Sequence, residues 1–391
     1  MEQEFNIKYE QFEISLININ NIANIKIYDI QSKNKYESNF NEITFKLFFP
    51  NFKLYDIINK IYILIKDKKI EIQKKNIDLK LILKSQIKTI DNLELPIYKK
   101  MQKIISIKVH ENNVNSVSFF PNGNIISVSA DQSIKIYDQI NYIIIQNIID
   151  AHQDRIVYVD IIDDNNFITC SSDKSIKTWI KNNTNNFYNN KIILNAHENI
   201  ITKVLHYQTN KIISCSWDNY IKIWEEKDNN YIMKNRFKDE HIISSILILY
   251  DKNYLVSGGN VGIKFWDLIN FNLIVSFLDT FCGCWNSLTI TNEDYIIAKG
   301  EVGNSIKIIS ISQKTIIKNI NNLISDITSS LYIQDREIIL IGNENKIIIM
   351  RADNFETIQI YYNYLNNKGI TQLKDGLIAT FGNNMTINIW N

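Results

Sequence analysis

The sequence predicts an all-β, seven-bladed propeller with four-stranded blades, preceded by a small α+β domain. After about residue 100, short strand patterns rich in Ile, Val and Tyr alternate with turn residues. One aromatic or large apolar position recurs along these patterns every 40 to 45 residues, a period typical of propeller blades. That position is occupied by Tyr137, Trp179, Trp224, Trp266, Ile308, Met350 and Trp390.

The repeating unit is clearest between residues 195 and 225. The strands predicted there are Ile201–Tyr207, Lys211–Ser216 and 220–224. His197 precedes the first strand, Ser214 lies on the second, Asp218 lies in the next turn, and Trp224 ends the third. A histidine between a carboxylate and a hydroxyl, followed by an indole N–H, can be fully hydrogen-bonded without water. These four residues are therefore predicted to form a structural tetrad.

This unit resembles the WD (Trp-Asp) repeat. The motifs that carry the resemblance are VHENNVNSVSFFPNGNIISVSADQSIKIYD (109–138), AHQDRIVYVDIIDDNNFITCSSDKSIKTWI (151–180), NAHENIITKVLHYQTNKIISCSWDNYIKIWE (195–225) and EHIISSILILYDKNYLVSGGNVGIKFWD (240–267). The resemblance implies two further structural tetrads, formed by His110, Ser127, Asp131 and Tyr137, and by His152, Thr169, Asp173 and Trp179. In the fourth unit it implies His241 as the histidine, with Asn260 where Asp is expected. The last three units lack both residues.

The resemblance also implies a partner-binding face. Propellers of this family bind partners on the loops that precede the first strand and that join the second and third strands. Among the residues at these positions, the candidates for partner binding are Trp217, Arg155, Asn113, Asn115, Thr202 and Ser172. Trp217 stands out because its counterparts are small or polar, and exposed Trp and Arg are enriched in binding hot spots. The alternative is that Trp217 folds back over its own blade.

The chain divides into two predicted domains. Residues 1–98 do not follow the repeat, and apolar residues at helical spacing predict a helix over 52–66 between strands. This accessory domain is expected to pack on the propeller or, alternatively, to dimerise. Residues 91–100, with Pro96, are expected to be a linker. The propeller spans 99–391, and residues 103–109 are expected to supply the outer strand of the last blade, because the chain stops one residue after Trp390.

The six expected outer strands before the last blade are 142–149, 190–194, 231–237, 271–278, Thr315–Ile320 and Thr357–Tyr362.

The sequence predicts no enzyme and no cofactor. The His-Ser-Asp sets look like nucleophile triads, but an enzyme needs one site and these occur three times. Cys282 and Cys284 lack the further ligands that a zinc site requires. A net charge of +1 argues against recruitment of nucleic acid or a membrane. The expected partners are proteins or peptides in a multiprotein complex in the cytoplasm, with no small-molecule substrate.

Two other functions remain open at this point. A substrate receptor of a ubiquitin ligase is one, although no W-D-x-R motif occurs at the strand ends, which read YDQI, TWIK, IWEE and FWDL. A propeller hydrolase is the other, and it would need acids or a metal cluster converging in the central channel. The first strands offer mostly Ile, Val, Ser and Thr there.

Overall fold

The structure is a computed structural model that resolves the chain into two compact units, Met1–Gln102 and Lys103–Asn391. In the first unit it describes the backbone of seven strands. In the second it describes residues 103–390 except 183–187, 194, 229, 279–287, 292–293, 300–304, 322–326, 335–336, 344–345, 363–366 and 375.

The first unit contains an antiparallel sheet with strand order β1-β2-β3-β4-β7-β6-β5. The strands are β1 (Gln3–Tyr9), β2 (Phe12–Ile19), β3 (Ile22–Asp29), β4 (Asn34–Asn41), β5 (Ile70–Lys75), β6 (Asp78–Leu83) and β7 (Leu93–Lys99). The helix expected over 52–66 lies outside the described residues, so the α+β character of this domain stays a prediction.

Strand β7 occupies the segment that was expected to be a linker. Leu93, Leu95 and Ile97 alternate along it, which favours a strand. At Pro96, β7 pairs with β6 alone, because its pairing with β4 involves only Tyr98 and Lys99. The strand is therefore a sheet edge on one side at this position, and edges tolerate proline.

The second unit is the predicted seven-bladed propeller, and each blade is an antiparallel sheet of four strands. Blade 1 comprises β9 (Val114–Phe119), β10 (Ile125–Ser129), β11 (Ile134–Tyr137) and β12 (Ile144–Ile148). Blade 2 comprises β13 (Ile156–Ile161), β14 (Asn166–Ser171), β15 (Ile176–Lys181) and β16 (Tyr188–Ile193). Blade 3 comprises β17 (Ile201–Tyr207), β18 (Lys211–Ser216), β19 (Tyr220–Lys227) and β20 (Asn230–Lys238).

Blades 4 to 6 follow the same order. Blade 4 comprises β21 (Ile243–Leu249), β22 (Tyr254–Gly259), β23 (Gly262–Asp267) and β24 (Leu273–Leu278), with a 3-10 turn at Tyr250–Lys252. Blade 5 comprises β25 (Leu288–Ile290), β26 (Tyr295–Lys299), β27 (Ile306–Ser310) and β28 (Thr315–Ile320). Blade 6 comprises β29 (Ile327–Ile333), β30 (Ile338–Asn343), β31 (Lys346–Arg351) and β32 (Thr357–Tyr362).

Blade 7 combines both ends of the propeller. Its first three strands are β33 (Asn367–Gln372), β34 (Ile378–Gly382) and β35 (Thr386–Trp390), and its outer strand is β8 (Lys103–Lys108). Strand β8 pairs antiparallel with β35, and Ser106 Oγ donates to Asn388 Oδ1 at 2.6 Å. The inner strands contact one another in order from β9 through β33 and back to β9, which closes the ring.

The core lies between neighbouring blades. Between blades 1 and 2, for example, Ile126 and Val128 pack against Val159, Phe167 and Trp179. Strands alternate in which face their side chains present, so each sheet contributes apolar residues to the blade on either side. The ring therefore holds its blades together chiefly by hydrophobic burial.

Tight turns join the second and third strands. In blades 1 to 3 the residue after the turn aspartate adopts a positive φ, at Gln132 (69°), Lys174 (68°) and Asn219 (70°). The aspartate side chain stabilises this turn, as in blade 3, where the Tyr220 N–H donates to Asp218 Oδ1 at 3.0 Å.

Candidate functional site

Four side chains in blade 3 form a continuous hydrogen-bonded chain. Trp224 Nε1 donates to Ser214 Oγ at 2.9 Å, and this hydroxyl lies 2.8 Å from His197 Nε2. His197 Nδ1 lies 2.8 Å from Asp218 Oδ2. Because Ser214 is on β18 and Trp224 on β19, while the other two residues lie in loops, the chain ties two strands to two loops.

Blades 1 and 2 contain the same arrangement. In blade 1 the distances are 2.8 Å for His110 Nε2–Ser127 Oγ, 2.9 Å for His110 Nδ1–Asp131 Oδ2 and 3.3 Å for Ser127 Oγ–Tyr137 OH. In blade 2 they are 2.8 Å for His152 Nε2–Thr169 Oγ1, 2.9 Å for His152 Nδ1–Asp173 Oδ2 and 2.9 Å for Trp179 Nε1–Thr169 Oγ1. The structure thus brings together all three predicted sets.

The aspartate also fixes the loop that enters the blade. The Glu198 N–H donates to Asp218 Oδ2 at 2.9 Å, and Lys222 Nζ donates to the Ala196 carbonyl at 2.7 Å. Corresponding bonds to the aspartate join Glu111 to Asp131 and Gln153 to Asp173. The two loops that form one end of each blade are therefore held in a fixed relation.

The donors in the blade 3 chain all point in one direction. Since the Ser214 hydroxyl accepts from Trp224, its own proton is available to His197 Nε2, which leaves the Nδ1–H to donate to Asp218. Burial lowers the pKa of His197, although Asp218 opposes this shift. Burial raises the pKa of Asp218, but hydrogen bonds from His197 and from two backbone N–H groups outweigh it and lower the pKa to about 2. The pair is a neutral imidazole and a carboxylate.

The geometry of the three tetrads fits a structural role better than a catalytic one. Ser127, Thr169 and Ser214 have no exposed surface, and each hydroxyl is already engaged by the histidine and the aromatic side chain. A nucleophile must reach its substrate, and these hydroxyls could do so only if the blade opened.

Blade 4 departs from the predicted alignment, and the assignment of His241 to the histidine position is wrong. His241 is exposed, and the residue that lies four positions before β21, as His197 lies before β17, is Asp239. Asp239 is buried and accepts from Lys264 Nζ at 2.8 Å. The cause is a short connection, because residues 239–242 join β20 to β21 whereas 194–200 join β16 to β17. Trp266 still donates to Ser257 Oγ at 2.8 Å.

Blades 5 and 6 replace the network by apolar packing. Ile308 and Met350 take the place of the tryptophan and are almost fully buried, in a cluster with Ile297, Ile339 and Phe355. The histidine and aspartate positions of these blades lie outside the described residues; they are occupied by Phe281, Val302, Leu323 and Glu344. In blade 7 an indole bond remains, from Trp390 Nε1 to Thr380 Oγ1 at 3.0 Å.

Two of the predicted partner-binding residues are buried. Asn115 Nδ2 donates to the Ile156 carbonyl at 2.7 Å, and Thr202 Oγ1 donates to the Ile243 carbonyl at 2.9 Å. Each bond joins the inner strand of one blade to the inner strand of the next. Because both side chains are buried and bonded to the next blade, they do not lie on a surface that a partner can contact. The prediction for Asn115 and Thr202 is corrected accordingly.

The other candidates lie at the loop end of their blades, which we call the loop face: the connections into the first strands and the turns between the second and third strands. Asn113 and Arg155 are half-buried, and Arg155 Nε donates to the Ser172 hydroxyl at 2.8 Å. Since Ser172 is itself buried, it orients the guanidinium instead of offering a contact of its own.

Lys368 is a half-buried cation that the sequence reasoning missed. Burial and, after it, the positive charge of Arg155 lower the pKa of Lys368. Lys368 lies on the inner strand β33 of blade 7. Lys368 lies five positions after Asn363, the residue at the histidine position of that unit, but the residues at the same spacing in blades 1 and 3, Asn115 and Thr202, are buried, so the spacing alone gave no signal.

Trp217 differs from the tryptophans that stabilise the blades. It is half-buried in the turn between β18 and β19, and its backbone N–H donates to the Ile200 carbonyl at 3.0 Å. Its indole Nε1 is buried, with no hydrogen-bond acceptor among the described residues. By contrast, each indole N–H on a third strand donates to a Ser or Thr hydroxyl; these are Trp179, Trp224, Trp266 and Trp390.

Two asparagines in turns of the loop face also have a buried side-chain atom without a hydrogen-bond partner among the described residues. Asn260 Oδ1 in blade 4 and Asn383 Oδ1 in blade 7 are buried and have no donor among the described residues. Buried polar atoms are normally paired. Of the six buried side-chain atoms without a partner among the described residues, three lie in these turns, one donor and two acceptors.

The described residues contain no group of three or more His, Cys, Asp or Glu side chains placed to hold a metal ion. Cys282 and Cys284 lie outside them, so the reading of that motif stays a prediction. In the described part of the chain, no helix is both long and apolar enough to cross a bilayer.

Comparison with known proteins agrees with this geometry. The family model described as WD domain, G-beta repeat matches residues 101–138, 144–179 and 189–225. The matched segments cover the blades in which the His-Asp networks are found. No curated protein matches the chain.

Proposed function

We propose that this chain, a WD40-repeat protein with a seven-bladed propeller, is a non-catalytic scaffold that binds other proteins or peptides on its loop face. WD40 propellers generally mediate protein–protein interactions and are typically non-catalytic. The observation that carries the proposal is Trp217, whose indole N–H has no acceptor among the described residues although every blade-bracing tryptophan has one. The Trp217 side chain is only half-buried, so part of its indole ring is exposed and can serve as an anchor for a partner.

The chemistry of the face favours a peptide segment. The half-buried ring of Trp217 offers an aromatic surface against which a side chain of such a segment can pack. Arg155 and Lys368 together favour a carboxylate on the partner. The free, buried thiols of Cys170 and Cys215 are consistent with a reducing compartment, and we propose the cytoplasm.

Affinity purification of the full chain with mass spectrometry tests the proposal. We expect Trp217→Ala to reduce recovery of the specific partners at least about tenfold, as truncation of a hot-spot tryptophan does. The matched control is Ile269→Ala, which removes a 65 % exposed side chain from the connection between β23 and β24, at the opposite end of the strands. This control should leave recovery unchanged.

Equal recovery with Trp217→Ala and wild type, or loss with Ile269→Ala alone, would contradict the proposal. Arg155→Ala extends the test, with a smaller loss expected at higher salt, since a charge contact is screened by ions. Recovery of ubiquitin-ligase adaptor subunits that is independent of Trp217 would favour the receptor alternative.

A further inference from the structure

The outer edge of blade 1 carries the densest group of exposed apolar side chains on the described part of the propeller. Five isoleucines in and beside β12 are exposed: Ile140 (75 %), Ile143 (64 %), Ile144 (46 %), Ile145 (52 %) and Ile149 (68 %). Single exposed apolar residues are ordinary, but a contiguous group usually marks an interaction site.

Strand β12 is also an edge whose backbone is available. It is the last strand of its sheet, and among the described strands it pairs only with β11, with one bulge at Ile145. Proteins protect such edges with charged residues, as β20 does with Lys234 and Arg236 and β28 with Lys318. Residues 139–149 contain no charged residue at all. An uncharged, apolar edge strand is a template for pairing with another strand.

The sequence of this edge is complementary to itself. When two copies of β12 run antiparallel with Gln146 opposite Gln146, Ile144 faces Ile148 and Ile143 faces Ile149 of the other copy. Asp150 then faces Tyr142, so no like charges meet. We propose that β12 is a homodimerisation edge at which a second copy of this chain pairs antiparallel about a two-fold axis through Gln146, joining two four-stranded blades into one eight-stranded sheet.

The available surface is sufficient for such a pair. The exposed parts of the five isoleucines amount to on the order of 500 Å² per copy, so a dimer buries at most on the order of 1,000 Å², the low end of the range for specific interfaces. A self-complementary strand produces an isologous, closed contact, which gives a dimer and not a fibre. The pairing needs no other partner because each copy supplies both halves.

Analytical ultracentrifugation of the full chain over a wide concentration range provides the first test. We expect a reversible monomer–dimer equilibrium, with the dissociation constant raised at least about tenfold by Ile144→Lys, because the two-fold axis introduces the charge twice. Leu273→Lys is the matched control, since Leu273 is also 46 % exposed and lies on β24, another outer strand without charged residues. This control should leave the equilibrium unchanged.

Disulfide cross-linking tests the register. Residues on the two-fold axis of an antiparallel pair face their own copies at a distance that a disulfide can span. Gln146→Cys should therefore yield a covalent dimer under mild oxidation, and Ser276→Cys on β24 should not. Wild-type protein treated in the same way accounts for the native thiols. Circular dichroism melting of every variant verifies folding.

A protein that stays monomeric at all concentrations would overturn the proposal. So would a dimer weakened by Leu273→Lys and not by Ile144→Lys, because its interface would lie on blade 4. A dimer that forms without a Gln146→Cys cross-link would overturn the proposed register and with it the two-fold pairing of β12.

Discussion

Blades 1 to 3 and blades 5 and 6 reach the same four-stranded fold by different physical means. In blade 3, His197, Ser214, Asp218 and Trp224 are joined by three hydrogen bonds between 2.8 and 2.9 Å. In blade 6 the tryptophan position holds Met350, packed among isoleucines. The family model matches only the first group, yet all seven sheets have four antiparallel strands.

The difference between the two groups shows that forming a blade and fixing its loops depend on different interactions. Strand alternation and packing between blades suffice to form the sheet, because blades 5 and 6 have both and lack the Trp position's indole bond. The His-Asp network adds a fixed relation between the two loops at one end. Trp217 lies in one of these braced turns.

Deletion of β8 should have the largest effect, because it tests the ring on which both kinds of blade depend. Without Lys103–Lys108, β35 loses its outer neighbour, blade 7 becomes a three-stranded sheet, and the core cluster that contains Ile389 loses Ile107, which packs against it. We expect a loss of several kcal/mol, comparable to the whole stability of a typical domain. Thermal unfolding measures it, with trimming of residues 1–10 as the control. Equal destabilisation by both truncations would contradict the role of β8 in closure.

Leucine substitutions in the two kinds of blade test whether the hydrogen-bond network stabilises the fold more than apolar packing does. His197→Leu removes the only side-chain donor shown for the Asp218 carboxylate, and we expect it to lower the free energy of unfolding by about 2–4 kcal/mol. Met350→Leu nearly conserves volume in an apolar cluster and should cost less than about 1.5 kcal/mol. Urea denaturation of both variants gives the two values. Equal costs would mean that the network contributes nothing beyond packing.

Acid should weaken the polar blades through the same network. Because burial lowers the pKa of His197 below its ordinary 6.5, the unfolded chain binds more protons and the free energy of unfolding falls as the pH decreases through 6.5. Asp218 acts in the same direction between pH 3.8 and about 2, since its pKa is lowered on folding. Denaturant unfolding across this pH range should show the loss.

The acid-induced loss should be smaller in His197→Leu than in the wild type. Burial raises the pKa of Asp160 to about 6, which acts in the opposite direction, but Asp160 is present in both proteins and drops out of the comparison. Identical pH profiles would show that the His197–Asp218 pair does not couple to folding.

Trp217→Ala should have the smallest effect on stability. Its indole N–H contributes no hydrogen bond to a described residue, and the side chain is only half-buried, so we expect a change below about 1 kcal/mol. Trp224→Ala is the contrasting variant and should cost about 3–5 kcal/mol, because Trp224 is buried and bonded to Ser214. Thermal melts of the two compare them. Similar losses would make Trp217 a structural residue of blade 3.

The sequence predicted the fold and the strand bounds correctly where neighbouring residues determine them. The strands Ile201–Tyr207 and Lys211–Ser216 have the predicted bounds, and the seven-bladed fold is confirmed. It gave the wrong residue at the histidine position of blade 4, because the short connection before β21 places Asp239 there and not His241. It also could not distinguish exposed from buried polar residues at the loop face, because the bonds of Asn115 and Thr202 to the next blade join residues 41 positions apart.

Site-specific photo-crosslinking in cells tests the proposed loop face most directly. The full chain carrying a photoreactive amino acid at position 217 would be compared with the chain carrying it at position 269, where Ile269 lies at the opposite end of the strands. The proposed function predicts discrete crosslinked proteins from position 217 and none of the same proteins from position 269. Crosslinks from position 269 alone would contradict it.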